Sequence, residues 1–417
     1  MIRIGIVGCG RILAAHLRGY RLLRAAGVDD FQITALCSRR RDDAAMYVRR
    51  GSGPSQRPPC SDLPGDPLAI GDEYLSDFQP EVDVDLYTDY RAMIASGPID
   101  AVNDFSTHSL HHQVADCAFA NGKHLLTQKP LAVTVAAARR MCEAAEAAGL
   151  TFGVFENFRQ SPSTRHLHWA FQSGLIGDLQ MYLLGYAGVW WAPDRIVAQT
   201  PWRHRRDEAG GISLDLGVHF LHQLRYVAGE IRGVSARTAV LEPRRTTCDA
   251  LGRIVAQQDC DADDTVVAQL RLKSGALGSL YASWGGHGPA TKTGEGTVYY
   301  GRKGRITGDR LQLDGDSTPR SLAAVYRVQA PDQLQRRHFP LGLENSFALA
   351  QFDWLQAVAA RREPETSGRE GLCDLAAAYA LLESDFSGCE VNPADVASGK
   401  IREFQRKLDE RFGLVNC

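Results

Sequence analysis

The chain opens on a nearly continuous apolar run from Ile2 to Val7. Glycines at 8 and 10 follow, and then a helical pattern from about Arg11 to Ala26 that stops at Gly27. A short apolar run without polar alternation suits a parallel strand covered on both faces. Runs of the same kind at Phe31–Cys37, Ile99–Phe105, His124–Thr127 and Thr151–Phe155 alternate with helical segments at Tyr90–Ser96, His111–Asn121 and Val135–Ala148. Repeated strand–helix units predict an α/β domain over residues 1–153, built on a doubly wound parallel sheet of Rossmann type, with ligands held beyond the strand C-termini. Residues 51–84 break the pattern with prolines at 54, 58, 59, 64, 67 and 80 and little periodicity. Connections this long are uncommon. The segment reads as an insertion, a surface elaboration or subunit contact rather than a catalytic element.

From residue 154 to 417 the pattern changes. Val266, Ala268, Leu270 and Leu272 fall on one face and Thr265, Gln269 and Arg271 on the other, and a Lys273-Ser274-Gly275 turn leads into Leu277–Trp284. That is an antiparallel hairpin with one wet face. Similar segments at Leu179–Val189, Val234–Leu241 and Thr297–Tyr300 predict an antiparallel sheet of about six strands in a second domain. Between them, Asp215 and His219 stand four apart on a helical stretch whose buried side is Leu214, Val218, Leu221 and Leu224. A carboxylate within reach of an imidazole holds its tautomer and raises its basicity, as a general base needs. A surface Asp–His pair without chemistry fits the spacing equally well.

Composition adds mainly exclusions. A length of 417 residues exceeds what one core organises, which supports two domains. A net charge of -2 gives no field to recruit nucleic acid or an anionic membrane. No apolar run reaches the length of a membrane span. The ten cysteines are scattered singly, with no C-x-x-C pair, so neither a metal site nor a disulfide framework is indicated. Reduced cysteines and an N-terminus without a leader pattern point to the cytoplasm.

Gly8 permits a tight turn, and Gly10 lets the backbone approach a pyrophosphate at the helix N-terminus, where Arg11 and Ile12 begin the helix. Leu13 stands where a third glycine is usual. At the end of the second strand, where NAD-preferring proteins carry Asp or Glu, the chain has Ser38, Arg39, Arg40 and Arg41. A hydroxyl and guanidinium groups suit a 2′-phosphate, so NADP(H) is expected over NAD(H). A solvated basic turn is the competing reading.

Four segments together resemble the glucose–fructose oxidoreductase/inositol dehydrogenase/rhizopine-catabolism (Gfo/Idh/MocA) family. They are GCGRILAAH at 8–16, STHSLH at 106–111, GKHLLTQKPLA at 122–132 and GGISLDLGVH at 210–219, with EPETSGREGL at 363–372 of similar look. The resemblance implies a Rossmann domain followed by an α/β domain with an open, mostly antiparallel sheet used for homo-oligomer contacts, as a dimer or tetramer. It implies oxidation or reduction of a sugar, polyol or glycoside at a secondary alcohol or ketone. It also implies that Lys129 hydrogen-bonds the reacting oxygen, that His219 accepts the proton, and that Asp215 supports His219. Ser106, Thr107, His111 and Gln128 join the cofactor site by the same resemblance, although capping or packing suits His16 and His111 by position. Gln128 replaces the family's usual glutamate and should leave Lys129 less firmly pinned. His222 stands where an aspartate is frequent and is a further candidate substrate contact.

Asn157 and Arg159, after the last Rossmann strand, are candidate substrate contacts, with domain-junction structure as the alternative. Trp190, Trp191, Trp202 and Arg203 precede Gly210, in a loop suited to stack on sugar rings or to pack. Competing functions on this scaffold are a silent NADP-sensing regulator, a redox-assisted glycosidase or eliminating enzyme, and an imine or biliverdin-type reductase. The dehydrogenase reading requires Lys129 and His219 to converge from the two domains.

Overall fold

The computed structural model describes residues 1–188, 193–249, 251–293 and 296–415. The N-terminal half alternates β1 (Ile2–Val7), α1 (Leu13–Ala25), β2 (Phe31–Cys37), α2 (Arg41–Ala45), β3 (Asp85–Tyr87), α3 (Tyr90–Ser96), β4 (Ala101–Asp104), α4 (His108–Ala120), β5 (His124–Gln128), α5 (Val135–Ala148) and β6 (Phe152–Phe155). Its six strands pair in the order β3-β2-β1-β4-β5-β6, all parallel. The order reverses between β1 and β4, which opens the ligand crevice of a doubly wound sheet above Gly8 and Ser106. Local chemistry sets the helix ends: the Thr134 hydroxyl accepts from Ala137 N at the start of α5, and Gly149 ends it in the left-handed region at φ 63°. Helix α4 starts three residues earlier than expected, because Thr107 rather than a later residue takes the extended N-cap conformation.

The second half contains α6 (Pro162–Gln172), β7 (Leu179–Ala187), a single π turn (Ser213–Gly217) running into α7 (Val218–Ala228), and then β8 (Ile231–Ala239), β9 (Arg244–Cys248), β10 (Ile254–Asp259), β11 (Thr265–Leu272), β12 (Leu277–Ser283), β13 (Thr291–Lys292), β14 (Val298–Gly301), β15 (Gly304–Thr307), β16 (Arg310–Leu313) and β17 (Arg320–Ser321). Helices α8 (Leu322–Gln329), α9 (Asp332–His338), α10 (Ser346–Ala360), α11 (Gly368–Ser387), α12 (Pro393–Ala397) and α13 (Arg406–Phe412) follow. Among the described residues the sheet has nine strands rather than about six, in the order β17-β16-β15-β14-β7-β12-β11-β8 with β13 beside β7. One neighbouring pair, β7 with β12, is parallel. The extra strands are short hairpins of two to four residues, too brief to carry a clear alternation. No described helix is long and apolar enough to cross a membrane.

The chain then returns to its beginning. Phe347, Ala348, Trp354 and Leu355 of α10 share a buried cluster with Leu13, Leu17 and Tyr20 of α1. The Trp354 indole donates to Leu125 O at 3.2 Å, and Gln351 Nε2 donates to His16 O at 3.0 Å. Beyond α10, Val154 N donates to Thr366 O at 2.8 Å. The N-terminal sheet is therefore covered on one face by a helix from the far end of the sequence.

The insertion is more than a surface excursion. Glu73 is buried and accepts from Arg18 at 2.7 Å and Arg21 at 2.8 Å, both on α1. The Gln79 amide exchanges two hydrogen bonds with the backbone of Ile33 on β2, at 3.0 and 2.8 Å. Arg57 Nη1 donates to Cys9 O in the glycine turn at 3.1 Å, and Arg11 Nη1 donates to Pro58 O at 2.6 Å. Proline content and weak periodicity fit a segment that holds two short 3₁₀ helices, Pro67–Ala69 and Leu75–Asp77, but they carry no information about polar anchors.

Trp354→Ala removes a fully buried indole that seals α10 onto the nucleotide-binding half. We expect a loss of about 3–5 kcal/mol in chemical denaturation; a loss under about 1 kcal/mol would mean that α10 is dispensable there.

Candidate active site

Two turns form the nucleotide end of the crevice. At Gly8, φ is 96° and a Cβ would lie 2.5 Å from the Phe105 carbonyl carbon, so only glycine lets the β1 and β4 turns touch. A Cβ at Gly10, by contrast, would meet nothing within 4 Å. The α1 N-terminus, with Ile12 as N-cap, has no side-chain cap, and Arg11 immediately precedes it. The Ser106 hydroxyl is buried without a partner at the end of β4. Open space over Gly10, an uncapped helix start and an orphaned hydroxyl fit a bound dinucleotide phosphate. Leu13, in place of a third glycine, is fully buried in the α1 core. At the end of β2, Arg39 is exposed and Arg40 forks onto Asp43 at 2.8 Å, while Ser38 N donates to Tyr87 O at 3.1 Å.

At the opposite end of the crevice, Lys129 leaves the C-terminus of β5 and reaches the π turn. Its Nζ donates to Asp215 O at 2.6 Å and Asp215 Oδ1 at 3.0 Å. Arg203 Nε donates to the other carboxylate oxygen at 2.9 Å. Burial would raise the Asp215 carboxyl, but Arg203 and Lys129 together hold it well below the usual carboxylate range. Paired glycines allow this approach. A Cβ on Gly210 would lie 2.6 Å from Trp202 O, and one on Gly211, at φ 113°, would lie 2.0 Å from Asp263 Oδ1. Asp263 in turn accepts from Ser213 N at 3.0 Å and Ser213 Oγ at 2.7 Å, which fixes the start of the π turn. Single π turns of this kind recur at functional sites.

His219 sits one turn further on and has a different partner. Its Nδ1 lies 2.7 Å from both carboxylate oxygens of Glu156, at the end of β6, and Phe158 stacks on the ring at 4.3 Å. Burial lowers the His219 pKa below the ordinary imidazole value, more than Glu156 raises it. Burial opposes ionisation of Glu156, yet the imidazole keeps its carboxyl below the usual range. At neutral pH the arrangement is a neutral imidazole donating from Nδ1 to a carboxylate, with no partner on Nε2 among the described residues.

Several expectations are thereby corrected. Asp215 does not orient His219; both its oxygens are taken by Lys129 and Arg203, and Glu156 takes the supporting position. Gln128 does not leave Lys129 loose, because Asp215 holds the ammonium while the Gln128 amide meets His16 Nε2 at 2.8 Å. His16 is buried and its pKa falls well below the ordinary value through burial, so a neutral amide is the compatible neighbour. His111 is fully buried and bridges Ser106 O at 3.3 Å and Pro130 O at 3.1 Å, which makes it a brace for the two loops rather than a cofactor contact. Arg159 and His222 are not substrate contacts either. Arg159 binds Glu370 at 2.7 Å and His222 at 3.3 Å, and fully buried His222 reaches Asp374 at 2.6 Å. Both belong to a domain-junction network behind α7, because His222 is only three residues past His219 and faces α11.

Thr107 is exposed at the N-cap of α4, its hydroxyl 3.2 Å from Ser109 Oγ, and Asn157 is partly buried beside Glu156. Trp202 packs edge-on against His108 at 4.5 Å, with the Arg203 guanidinium 4.4 Å over its ring, so that part of the expected substrate loop does border Lys129 and Asp215. Trp190 and Trp191 lie outside the described residues. Sequence reasoning gave no role to Glu156, Phe158 or His108. Glu156 was within reach, since it ends a parallel strand on the ligand side of the sheet. His108 is buried with Nδ1 unpartnered, and burial drives its pKa well below the ordinary value.

Two family descriptions match this chain. Residues 68–156 match an oxidoreductase family with an NAD-binding Rossmann fold, and residues 164–307 match the GFO/IDH/MocA C-terminal domain. The chain belongs to the GFO/IDH/MocA family. As a member it is an NAD-binding oxidoreductase. A levoglucosan dehydrogenase of Pseudarthrobacter phenanthrenivorans is 29% identical over 48% of this chain, and the match spans only about half (53%) of that relative's own length. A D-apiose dehydrogenase of Paraburkholderia graminis is 26% identical over 92% of this chain and 87% of that one. A solved levoglucosan dehydrogenase with NADH and L-sorbose superposes with a TM-score of 0.71 at 20% identity, over 94% of this GFO/IDH/MocA chain and 98% of that chain, which is a likeness of fold.

Glu156→Gln removes the counter-charge from His219. In nitrogen-resolved NMR the His219 titration should lie below 6.5 in the native protein and lower still in the variant. An unmoved midpoint would show that Glu156 does not act on the imidazole.

Proposed function

We propose that the chain is an NADP(H)-preferring oxidoreductase that interconverts a secondary alcohol and a ketone on a sugar, polyol or glycoside. The observation that carries this reading is the convergence of Lys129 from the nucleotide half with Asp215 of the π turn, 3.0 Å apart, next to a base-form His219. The relatives named for levoglucosan and D-apiose support a sugar-like substrate.

Gly8, Gly10, Arg11 and Ile12 would hold the pyrophosphate, Ser106 and Thr107 the cofactor's middle, and Ser38, Arg39 and Arg40 a 2′-phosphate. When bound, the nicotinamide accepts or supplies the hydride. Everything else falls to this chain. In the oxidation direction the substrate hydroxyl gives its proton to His219 Nε2, while Glu156 holds Nδ1–H and offsets the imidazolium charge. Lys129 and Arg203 share one carboxylate, so this cluster carries one net positive charge. Lys129 points it at the developing alkoxide, worth about 2–4 kcal/mol by analogy with oxyanion donors. Phe158 restrains the imidazole plane, and Trp202 with His108 offers an aromatic wall for a sugar ring.

We further propose that the chain forms a homo-oligomer through the outer face of its nine-stranded sheet. Met181, Val267 and Leu277 are exposed on three adjoining strands there. Light scattering should give a mass that is a multiple of 45.7 kDa, and a monomer at micromolar concentration would refute this.

Lys129→Met should lower kcat by about 10²–10³-fold on a responsive polyol or sugar, with nicotinamide nucleotide affinity changed little. In fluorescence titration NADPH should bind more tightly than NADH. Equal loss of turnover and nucleotide affinity would count against the role of Lys129, and a preference for NADH would count against the 2′-phosphate reading.

A further inference from the structure

The glycine turn and the end of β2 lie side by side, with Gly8 N donating to Cys37 O at 2.9 Å. Any dinucleotide seated over Gly10 must pass its adenosine ribose through the notch between them. A residue from neither loop occupies the rim of that notch. Arg57, in the insertion, donates to Cys9 O at 3.1 Å and pairs through its other terminal nitrogen with Asp43 on α2. Asp43 is simultaneously forked by Arg40. Two guanidinium groups therefore share one carboxylate, and Arg39 beside them makes no hydrogen bond or ion pair among the described residues. Arg40 and Arg57 share the one carboxylate of Asp43, and Arg39 and Arg41 make no ion pair among the described residues, so this end of the crevice carries a positive excess. The Arg57 side chain is 28% exposed, so solvent and solutes reach it.

We propose that Arg57 is a phosphate ligand for the dinucleotide at its adenosine end, supplied by the insertion, and that Asp43 holds it ready until an anion replaces part of that contact. This rests on the nucleotide-binding reading above and extends it to a segment outside the glycine turn and the β2 end. A guanidinium fork matches phosphate oxygens in two directions, and a charge-assisted bond of this kind is stronger than one between neutral groups. The phosphate in reach is either the 2′-phosphate or the pyrophosphate. Their chemistry is the same, and the probes separate them.

The full-length protein is titrated calorimetrically with adenosine 2′,5′-bisphosphate, ADP, NADPH and NADH. Arg57→Met should weaken phosphate binding by about tenfold or more, and Arg57→Lys should fall between the variant and the native protein. A loss confined to the 2′-phosphorylated probes assigns Arg57 to the 2′-phosphate, and an equal loss on ADP and NADH assigns it to the pyrophosphate. Asp43→Asn is the decisive companion. A purely structural anchor predicts weaker or unchanged binding, whereas removal of a competing carboxylate predicts tighter binding. Unchanged affinity for all four probes in Arg57→Met, or weaker or unchanged binding in Asp43→Asn, overturns the inference while leaving nucleotide binding intact. Failure of the native protein to bind any probe overturns both.

Discussion

The geometry of the crevice depends on one buried carboxylate, Asp215, held between two cations that arrive from different directions. Lys129 comes from the end of a parallel strand and Arg203 from a loop that two glycines admit to van der Waals contact with the π turn. Loss of the shared carboxylate would leave two cations facing each other with little solvent between them, so the triplet is costly to break at Asp215. The contact therefore fixes the distance between the halves of the molecule. It also fixes the direction of the Lys129 ammonium, which a flexible four-carbon stem would otherwise leave undefined.

A second couple, Glu156 with His219, has its own hydrogen bond, although Lys129 and Asp215 still act on the imidazole through space. Proton acceptance and charge stabilisation are thus assigned to separate carboxylates, each with its own cation or imidazole. Had Asp215 served both, the imidazole would have had to share its counter-charge with Lys129 and Arg203, and its proton affinity would have moved with theirs. Separate partners let the imidazole stay neutral while the ammonium stays charged, which is the combination that alcohol oxidation requires of a base and an oxyanion donor.

Much of this was legible in the sequence, and the failures have physical reasons. Strands such as Ile2–Val7 and Phe31–Cys37 and the helix Val135–Ala148 match the structure at both ends, because buried apolar runs and a threonine–glycine pair of caps are local signals. Lys129 was recognisable from its place after a strand. The partner of His219 was not, because spacing along one helix reveals which residues share a face but not what approaches that face from another strand. Arg159 and His222 illustrate the same limit: each has the right chemistry and an adjacent position, and each points into a junction network. The insertion was opaque for a related reason. Gln79 and Glu73 anchor it through single polar contacts to β2 and α1, and such contacts leave no periodic trace.

The return of α10 to the first helix carries a consequence for how the chain is made. During synthesis the nucleotide-binding sheet emerges first, yet its Leu13, Leu17 and Tyr20 face is not sealed until Trp354 has left the ribosome. Some two hundred residues of the second domain must be threaded in between. A freely folding amino-terminal fragment is therefore missing one wall of its own core. Closure of that flank is therefore a late step, completed only after most of the second domain has been made.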